Sequence, residues 1–145
     1  MSKQLIVKDE IFIEAPGEKV WEVLVLPEYV KKWDELPEDY PSDKMTEGSS
    51  VVWDLPNGGQ SITTVIKAEE TLELKIALNV TNWKETLSEG DIAYSYKLES
   101  QHNGTRLRIE IGDFSLIENG QMYYDASVEF AAHSKEVIKD LAENG

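Results

Sequence analysis

Alternation of apolar and polar residues dominates the chain. Leu5, Val7, Ile11 and Ile13 fall on one side of an extended stretch over residues 3–15, the period of a half-buried strand. Pro16 suits the first position of a helix, where its missing N–H costs nothing. Val20, Trp21, Leu24 and Val25 then repeat at helical spacing. Pro27 ends that helix and can open a second short one reaching Trp33. From Asp34 to Gly48 the pattern is irregular, with Pro37 and Pro41 inside it. Val51, Trp53 and Leu55 resume the alternation, and Pro56-Asn57-Gly58-Gly59 has the composition of a hairpin turn. Ile62, Thr64 and Ile66 continue it on the return strand, followed by the cleanest run, Leu72, Leu74, Ile76, Leu78 and Val80. Ile92, Tyr94, Tyr96 and Leu98 lead to the turn His102-Asn103-Gly104 and then Leu107, Ile109 and Ile111. Asn-Gly between two alternating runs is a strong hairpin signal.

Residues 120–143 hold no proline and no internal glycine, which predicts one long helix of roughly 36 Å at ~1.5 Å per residue. The strand over residues 72–80 would span about 30 Å. The lengths match, so the helix can lie across one face of the sheet, leaving the other face wet. The expected class is α+β: an antiparallel sheet of about six or seven strands, two short helices after the first strand, and a long closing helix, all in one domain over residues 1–145.

Composition then narrows the partners. The chain has 145 residues, with 28 Asp and Glu against 14 Lys and Arg, and a formal charge of −14. Phosphate backbones need clustered basic residues, and anionic membranes repel an acidic surface, so neither nucleic acid nor membrane is expected. There is no cysteine, which removes disulfides, thiolate nucleophiles and Cys-based metal sites together. No apolar run approaches the ~20 residues of a membrane span, and the start of the chain does not resemble a signal sequence. The expected compartment is the cytoplasm.

The segment Ile13-Glu14-Ala15-Pro16-Gly17-Glu18-Lys19-Val20-Trp21-Glu22-Val23-Leu24, followed by Pro27-Glu28-Tyr29-Val30-Lys31-Lys32-Trp33, resembles the opening of the START-like (SRPBCC) superfamily. Within it the chain looks most like the activator of heat-shock protein 90 ATPase homologue group. The resemblance implies a helix-grip fold, a curved sheet wrapped round the C-terminal helix and enclosing an apolar cavity. It also implies binding of lipids, polyketides or other hydrophobic small molecules, with enzymes a minority. One departure is visible. Members commonly carry Gly-Trp near the start of the last helix, where this chain has Met122-Tyr123-Tyr124 after the turn Glu118-Asn119-Gly120.

Candidate chemistry lies on two facing surfaces. Along the last helix, Tyr123, Ser127, Phe130, Ser134, Val137 and Leu141 recur at helical spacing. Its upper half mixes rings and hydroxyls, as a ligand-lined face requires, although Ser127 and Ser134 can instead bond back to carbonyls one turn earlier. The opposing sheet face offers Trp53, Thr64, Ile76, Tyr94, Tyr96 and Ile109. Buried phenols need partners, and a ligand, Thr64, water or a carbonyl can each supply one. The expected cavity lining is therefore Trp53, Thr64, Ile76, Tyr94, Tyr96, Ile109, Tyr123, Ser127, Phe130 and Ser134.

The remaining polar residues point to little reactive chemistry. His133 and Ser134 are adjacent on a helix and cannot face each other. Asp34, Glu35, Glu38, Asp39 and Asp43 share one loop but lack calcium-loop spacing, and read as a solvated acidic stretch. Asp9 and Asp113 occupy the inward register of their strands, where desolvation would raise a carboxyl pKa. Trp21 and Trp33 are expected to pack the short helices on the sheet. No catalytic residue, cofactor or metal is expected. The leading expectation is a carrier or sensor binding a hydrophobic, lipid-like or aromatic molecule between the sheet and the last helix. A module for binding a protein partner, chaperone-linked, is the first alternative, and a cyclase- or hydrolase-type enzyme the second.

Overall fold

The computed structural model describes residues 4–56 and 58–144. Met1, Ser2, Lys3, Asn57 of the expected turn, and Gly145 lie outside them. Strand β1 (Val7–Ile13) leads into α1 (Gly17–Val25) and α2 (Pro27–Trp33). Then come β2 (Ser50–Asp54), β3 (Gln60–Glu69), β4 (Glu73–Val80), β5 (Ala93–Gln101) and β6 (Gly104–Gly112). A 3-10 turn at Phe114–Leu116 precedes α3 (Gly120–Asn144). The six strands form one sheet in the order β1-β6-β5-β4-β3-β2, antiparallel throughout. This is an α+β helix-grip arrangement. Pro16 sits at the N-cap of α1 and Pro27 at the start of α2, and both helices end in extended backbone.

Helix α3 lies over the β1 and β6 side of the sheet and against α1 and α2. Beneath it Ile13, Leu107, Ile109 and Ile111 are at most 1% exposed. Each such side chain stabilises the fold by roughly 1.5–3 kcal/mol relative to exposure. The helix meets them with small residues. Its fully buried line is Gly120, Ser127, Ala131, Ser134, Ile138 and Ala142, one residue round from the expected stripe on its lower half. Phe130, Val137 and Leu141 flank that line, half-buried. The reason is steric: small side chains let α3 approach α1 and the sheet closely, and the bulkier ones splay to either side. Gly120 marks the same demand for space, since a Cβ there would collide with the Phe114 carbonyl.

Two carboxylates with inward register lie on this side. Asp9 pairs with Lys135 of α3 at 2.6 Å, with both side chains less than a quarter exposed. Asp113 caps the 3-10 turn, accepting backbone N–H bonds from Leu5 and Ser115 at 2.9 Å each. Burial pushes its carboxyl up, but the bonds from Ser115 and Leu5 outweigh this and hold it below the ordinary carboxylate value. The desolvation-driven rise expected for an inward Asp113 is thus reversed by hydrogen bonding. Neither residue borders the main cavity.

Strand β3 departs from the expected alternation. A bulge falls between Val65 and Lys67, adding one residue that opposes nothing and shifting everything before it. Ser61, Thr63 and Val65 therefore face inward, while Ile62 and Thr64 face outward beside Ala77, Leu87 and Gly90. Without the bulge, Ile62, Thr64 and Ile66 would have pointed in. Lys67, just past the bulge, faces outward and pairs with Glu69 and Glu73 at 2.9 and 2.8 Å. The displaced isoleucines are not left bare: the segment between β4 and β5 folds over that outer surface.

Candidate functional site

The most enclosed of the spaces bordered by aromatic residues lies off to one side of α3. Its construction starts with α2, whose buried residues Pro27, Val30 and Trp33 recur at three-residue spacing. The Trp33 indole N–H donates to the Val23 carbonyl at 2.8 Å, which fixes the ring. The ring then meets Tyr96 edge-on at 5.7 Å and Phe130 at 6.5 Å. Phe130 also backs Tyr94, edge-to-face at 6.0 Å. Edge-to-face contacts of this kind stabilise each ring orientation by ~0.5–1.5 kcal/mol beyond burial.

After Trp33 the chain leaves the helix in extended conformation at Asp34 and forms a loop that serves as an outer wall. The Met45 N–H bonds to the Val25 carbonyl at 2.8 Å, and Gly48 and Ser49 exchange backbone bonds with Val65 at 2.8 Å. Those bonds tie the loop to α1 at one end and to β3 at the other. Between α2, this loop and strands β2 to β5 lies a cavity of about 160 Å³. Its floor is Val65, Ile76, Leu78, Tyr94 and Tyr96; Leu24, Val30 and Trp33 form the helical wall. Leu36, Tyr40 and Met45 come from the loop, Val51 and Trp53 from β2, and Ser49, Ser61 and Thr63 add hydroxyls. Asp34, Glu35 and Trp53 are the exposed members of the lining.

The polar groups here are electrostatically linked. The Asp34 carboxyl is raised from an ordinary 3.8 to about 6, first by desolvation and then by the neighbouring Glu35 charge, against a stabilising bond from the Glu35 N–H. Asp34 as a whole residue remains solvent-exposed, so the desolvation comes from the wall it faces rather than from full burial. Burial, with the nearby Asp34 charge, lifts the Tyr94 phenol to about 12 and Tyr96 well above its ordinary value. Tyr96 is 1% exposed, and its hydroxyl makes no hydrogen bond within the described residues. Both phenols stay protonated at neutral pH, able to donate and accept, and Asp34 is an acceptor that titrates just below neutrality.

Of the residues expected to line a cavity, Trp53, Ile76, Tyr94 and Tyr96 come together here. Thr64 points to the opposite face, because of the bulge. Ile109 is 1% exposed within the packing under α3. Tyr123 lies elsewhere, its ring 5.6 Å from Trp83, whose indole N–H reaches the Tyr123 hydroxyl at 3.3 Å. Phe130 stands behind Tyr94 and Trp33 as support. Ser127 and Ser134 are buried in the helix packing, and the Ser134 hydroxyl has no partner, so it does not bond back to a carbonyl. No α3 residue borders the cavity, which corrects the expectation of a space between sheet and last helix: small residues bring α3 too close to the sheet. The loop residues Asp34, Glu35, Leu36, Tyr40 and Met45 were missed, although Leu36, Tyr40 and Met45 are apolar signals inside an acidic stretch. Among the described residues no group of His, Asp and Glu is arranged to hold a metal ion.

A family model described as "Activator of Hsp90 ATPase homolog 1-like protein" matches residues 14–143. The chain belongs to this family. Solved structures agree on the fold. An Aha1 dimer from Colwellia psychrerythraea superposes with a TM-score of 0.70 at 21% identity, covering 97% of this chain and 97% of that one. A Mesorhizobium loti protein gives 0.70 at 21%, over 94% and 95% of the two chains. A Bacillus halodurans protein gives 0.71 at 18%, over 99% and 100%. No curated protein matches the sequence. For this member of the family, the cavity beside α2 is where geometry, aromatic surface and perturbed polar groups coincide. The described residues contain no helix long and apolar enough to cross a membrane.

Proposed function

We propose that this family member binds a small, largely apolar molecule in the cavity between α2, the 34–49 loop and the sheet, as a non-catalytic carrier or sensor. The observation that carries the reading is the combination of an aromatic-walled space with the unpartnered Tyr96 hydroxyl bordering it. Its volume, about 160 Å³, sets the ligand size. A cavity near ~150 Å³ accommodates benzene, whereas drug-sized ligands need ~300 Å³ or more. A single ring fits; a long acyl chain or a sterol does not. The lipid-like end of the expected range gives way to the aromatic end. We take the cytoplasm as the compartment, given the cysteine-free sequence, and expect no nucleic-acid partner, given the excess of carboxylates.

Trp33 and Trp53 border the cavity, so tryptophan fluorescence reports on occupancy. Titration with single-ring aromatics should change the emission saturably, and Ile76→Trp should abolish the response by filling the space while the protein stays folded. No response from any single-ring probe, or an unchanged response in the filled variant, would sink the reading.

A second reading rests on a different observation. Edge strand β2 exposes Val52 at 44% and Trp53 at 39%, and an edge strand is a ready site for pairing with another chain. The Colwellia relative is a dimer. If β2 pairs with a second copy, sedimentation should show a dimer that Val52→Lys dissociates; a monomer at high concentration would exclude it.

A further inference from the structure

The cavity presents charge of one sign. Asp34 and Glu35 are the charged residues in its lining, and no Lys, Arg or His borders it. The same space is lined by Trp33, Tyr40, Trp53, Tyr94 and Tyr96. Aromatic faces attract cations through the ring quadrupole, more strongly as water is excluded, and carboxylates at the rim add direct attraction. An anionic ligand would meet two carboxylates and no basic partner, an uncompensated burial of charge. One polar group inside the cavity is open to a ligand of either hydrogen-bonding kind. The Tyr96 hydroxyl, on a side chain 1% exposed, borders the cavity and makes no hydrogen bond within the described residues, leaving a phenol oxygen free to accept a bond. The overall charge of −14 would also raise the local concentration of cations and their rate of encounter.

Building on the cavity-binding reading, we propose that the ligand is a small organic cation: a protonated or quaternary amine on a single aromatic ring. Its ring lies against Val65, Ile76 and Leu78, and its cationic end lies toward Asp34 and Glu35 among the aromatic side chains. The exposed members of the lining, Asp34, Glu35 and Trp53, mark the mouth, so the charge sits where partial hydration lowers the cost of bringing it in. Binding of a permanent cation strengthens as Asp34 ionises. The other titratable groups facing Asp34 are Glu35 beside it, Tyr40 from the loop, and Tyr94 and Tyr96 from β5; helices α1 and α2 and strands β2 to β4 contribute none to the lining.

The test compares phenyltrimethylammonium with tert-butylbenzene, its neutral counterpart of the same shape, and with benzoate, by tryptophan fluorescence. The cation should bind about tenfold more tightly than the neutral probe, and benzoate more weakly than either. That preference should grow as pH rises through about 6, the value to which desolvation lifts Asp34, a measurement on the unaltered protein that needs no variant. In the Asp34→Asn, Glu35→Gln double variant the preference should fall severalfold, to what the aromatic faces alone supply, while tert-butylbenzene affinity holds. Equal binding of cation and neutral probe, or a preference undiminished in the double variant, would overturn the cation proposal and leave the cavity-binding reading standing. Failure of all three probes to bind would overturn both.

Discussion

Two sides of one sheet end differently. Beneath α3, inward residues of β1 and β6 such as Ile13, Leu107 and Ile111 are fully buried. Beneath α2 and the 34–49 loop, inward residues of β3 and β4 such as Ser61, Thr63, Ile76 and Leu78 are only half-buried and border a cavity. The difference lies in what covers them. Helix α3 has 25 residues, about 37 Å at ~1.5 Å each, and offers small side chains that close on the sheet. Helix α2 has 7 residues, about 10 Å, and cannot roof strand β3, which spans about 30 Å. The loop completes the cover without filling the space. A hollow here needs no special device, only a roof too short for its floor.

The sharpest way to break the comparison is to truncate on each side. Ile138→Ala, beneath no solvent at all, should cost about 2–5 kcal/mol in urea unfolding. Leu78→Ala, on the cavity floor, should cost less than about half of that, because its far side already lacks neighbours. Equal losses would mean that both sides are packed alike. Overfilling gives the converse, at smaller size. Ala131→Leu should destabilise by about 1–3 kcal/mol, whereas Thr63→Ile should stay within about 0.5 kcal/mol, its extra carbon entering open space.

Next in size is the ion pair on the packed side. Lys135→Met leaves Asp9 partly buried without its partner and should cost about 1 kcal/mol. Combining it with Asp9→Leu should recover most of that loss; a double variant no better than the single one would show that the pair is not the cause.

The smallest effects are those of pH, and they have opposite signs on the two sides. Asp34, raised from 3.8 to about 6, holds a proton in the folded chain that the unfolded chain has released. Its contribution to stability therefore falls as pH rises from about 4 to 6, and Asp34→Asn should remove that decline from a series of melting curves. Asp113 is held below its ordinary value by its hydrogen bonds. Its contribution is present above the unfolded carboxylate range and is lost as pH falls through the folded value. Asp113→Asn should lower the melting temperature at neutral pH and have progressively less effect in acid. Parallel pH responses of the two variants would contradict the contrast.

The elements themselves were readable. Pro16, Pro27 and the 72–80 alternation mark helix starts and a strand that the structure reproduces, and the Asn103-Gly104 turn joins β5 to β6 as expected. Tyr94, Tyr96 and Ile76 were assigned to the correct face because β4 and β5 alternate without interruption. Thr64 was not, because one extra residue at a bulge reverses a face and leaves no compositional mark: Ile62 and Ile66 look like core whichever way they point. The location of the cavity was hidden for another reason. Periodicity reports which side of α3 is apolar, but not that serine and alanine in the centre of that side bring it into close contact with the sheet. Asp34 looked like one of many solvated carboxylates, and only the fold sets it beside two phenols.

The way the outer wall is fastened has a kinetic consequence. Its backbone bonds to the rest of the molecule lie at its ends, at Asp34 with Val30 and at Met45, Gly48 and Ser49; within residues 36–44 the described bonds reduce to a local turn, Tyr40 to Pro37, and an exposed contact of Lys44 with Glu70 at 3.5 Å. Swinging that middle portion away breaks almost nothing in the helices or the sheet, so such an opening lies at the low end of the range of local unfolding free energies. On the proposed binding role, ligand escape would follow the lifetime of the closed loop, not the lifetime of the folded chain. A molecule bound as proposed would leave many times over while the strands beneath it never come apart.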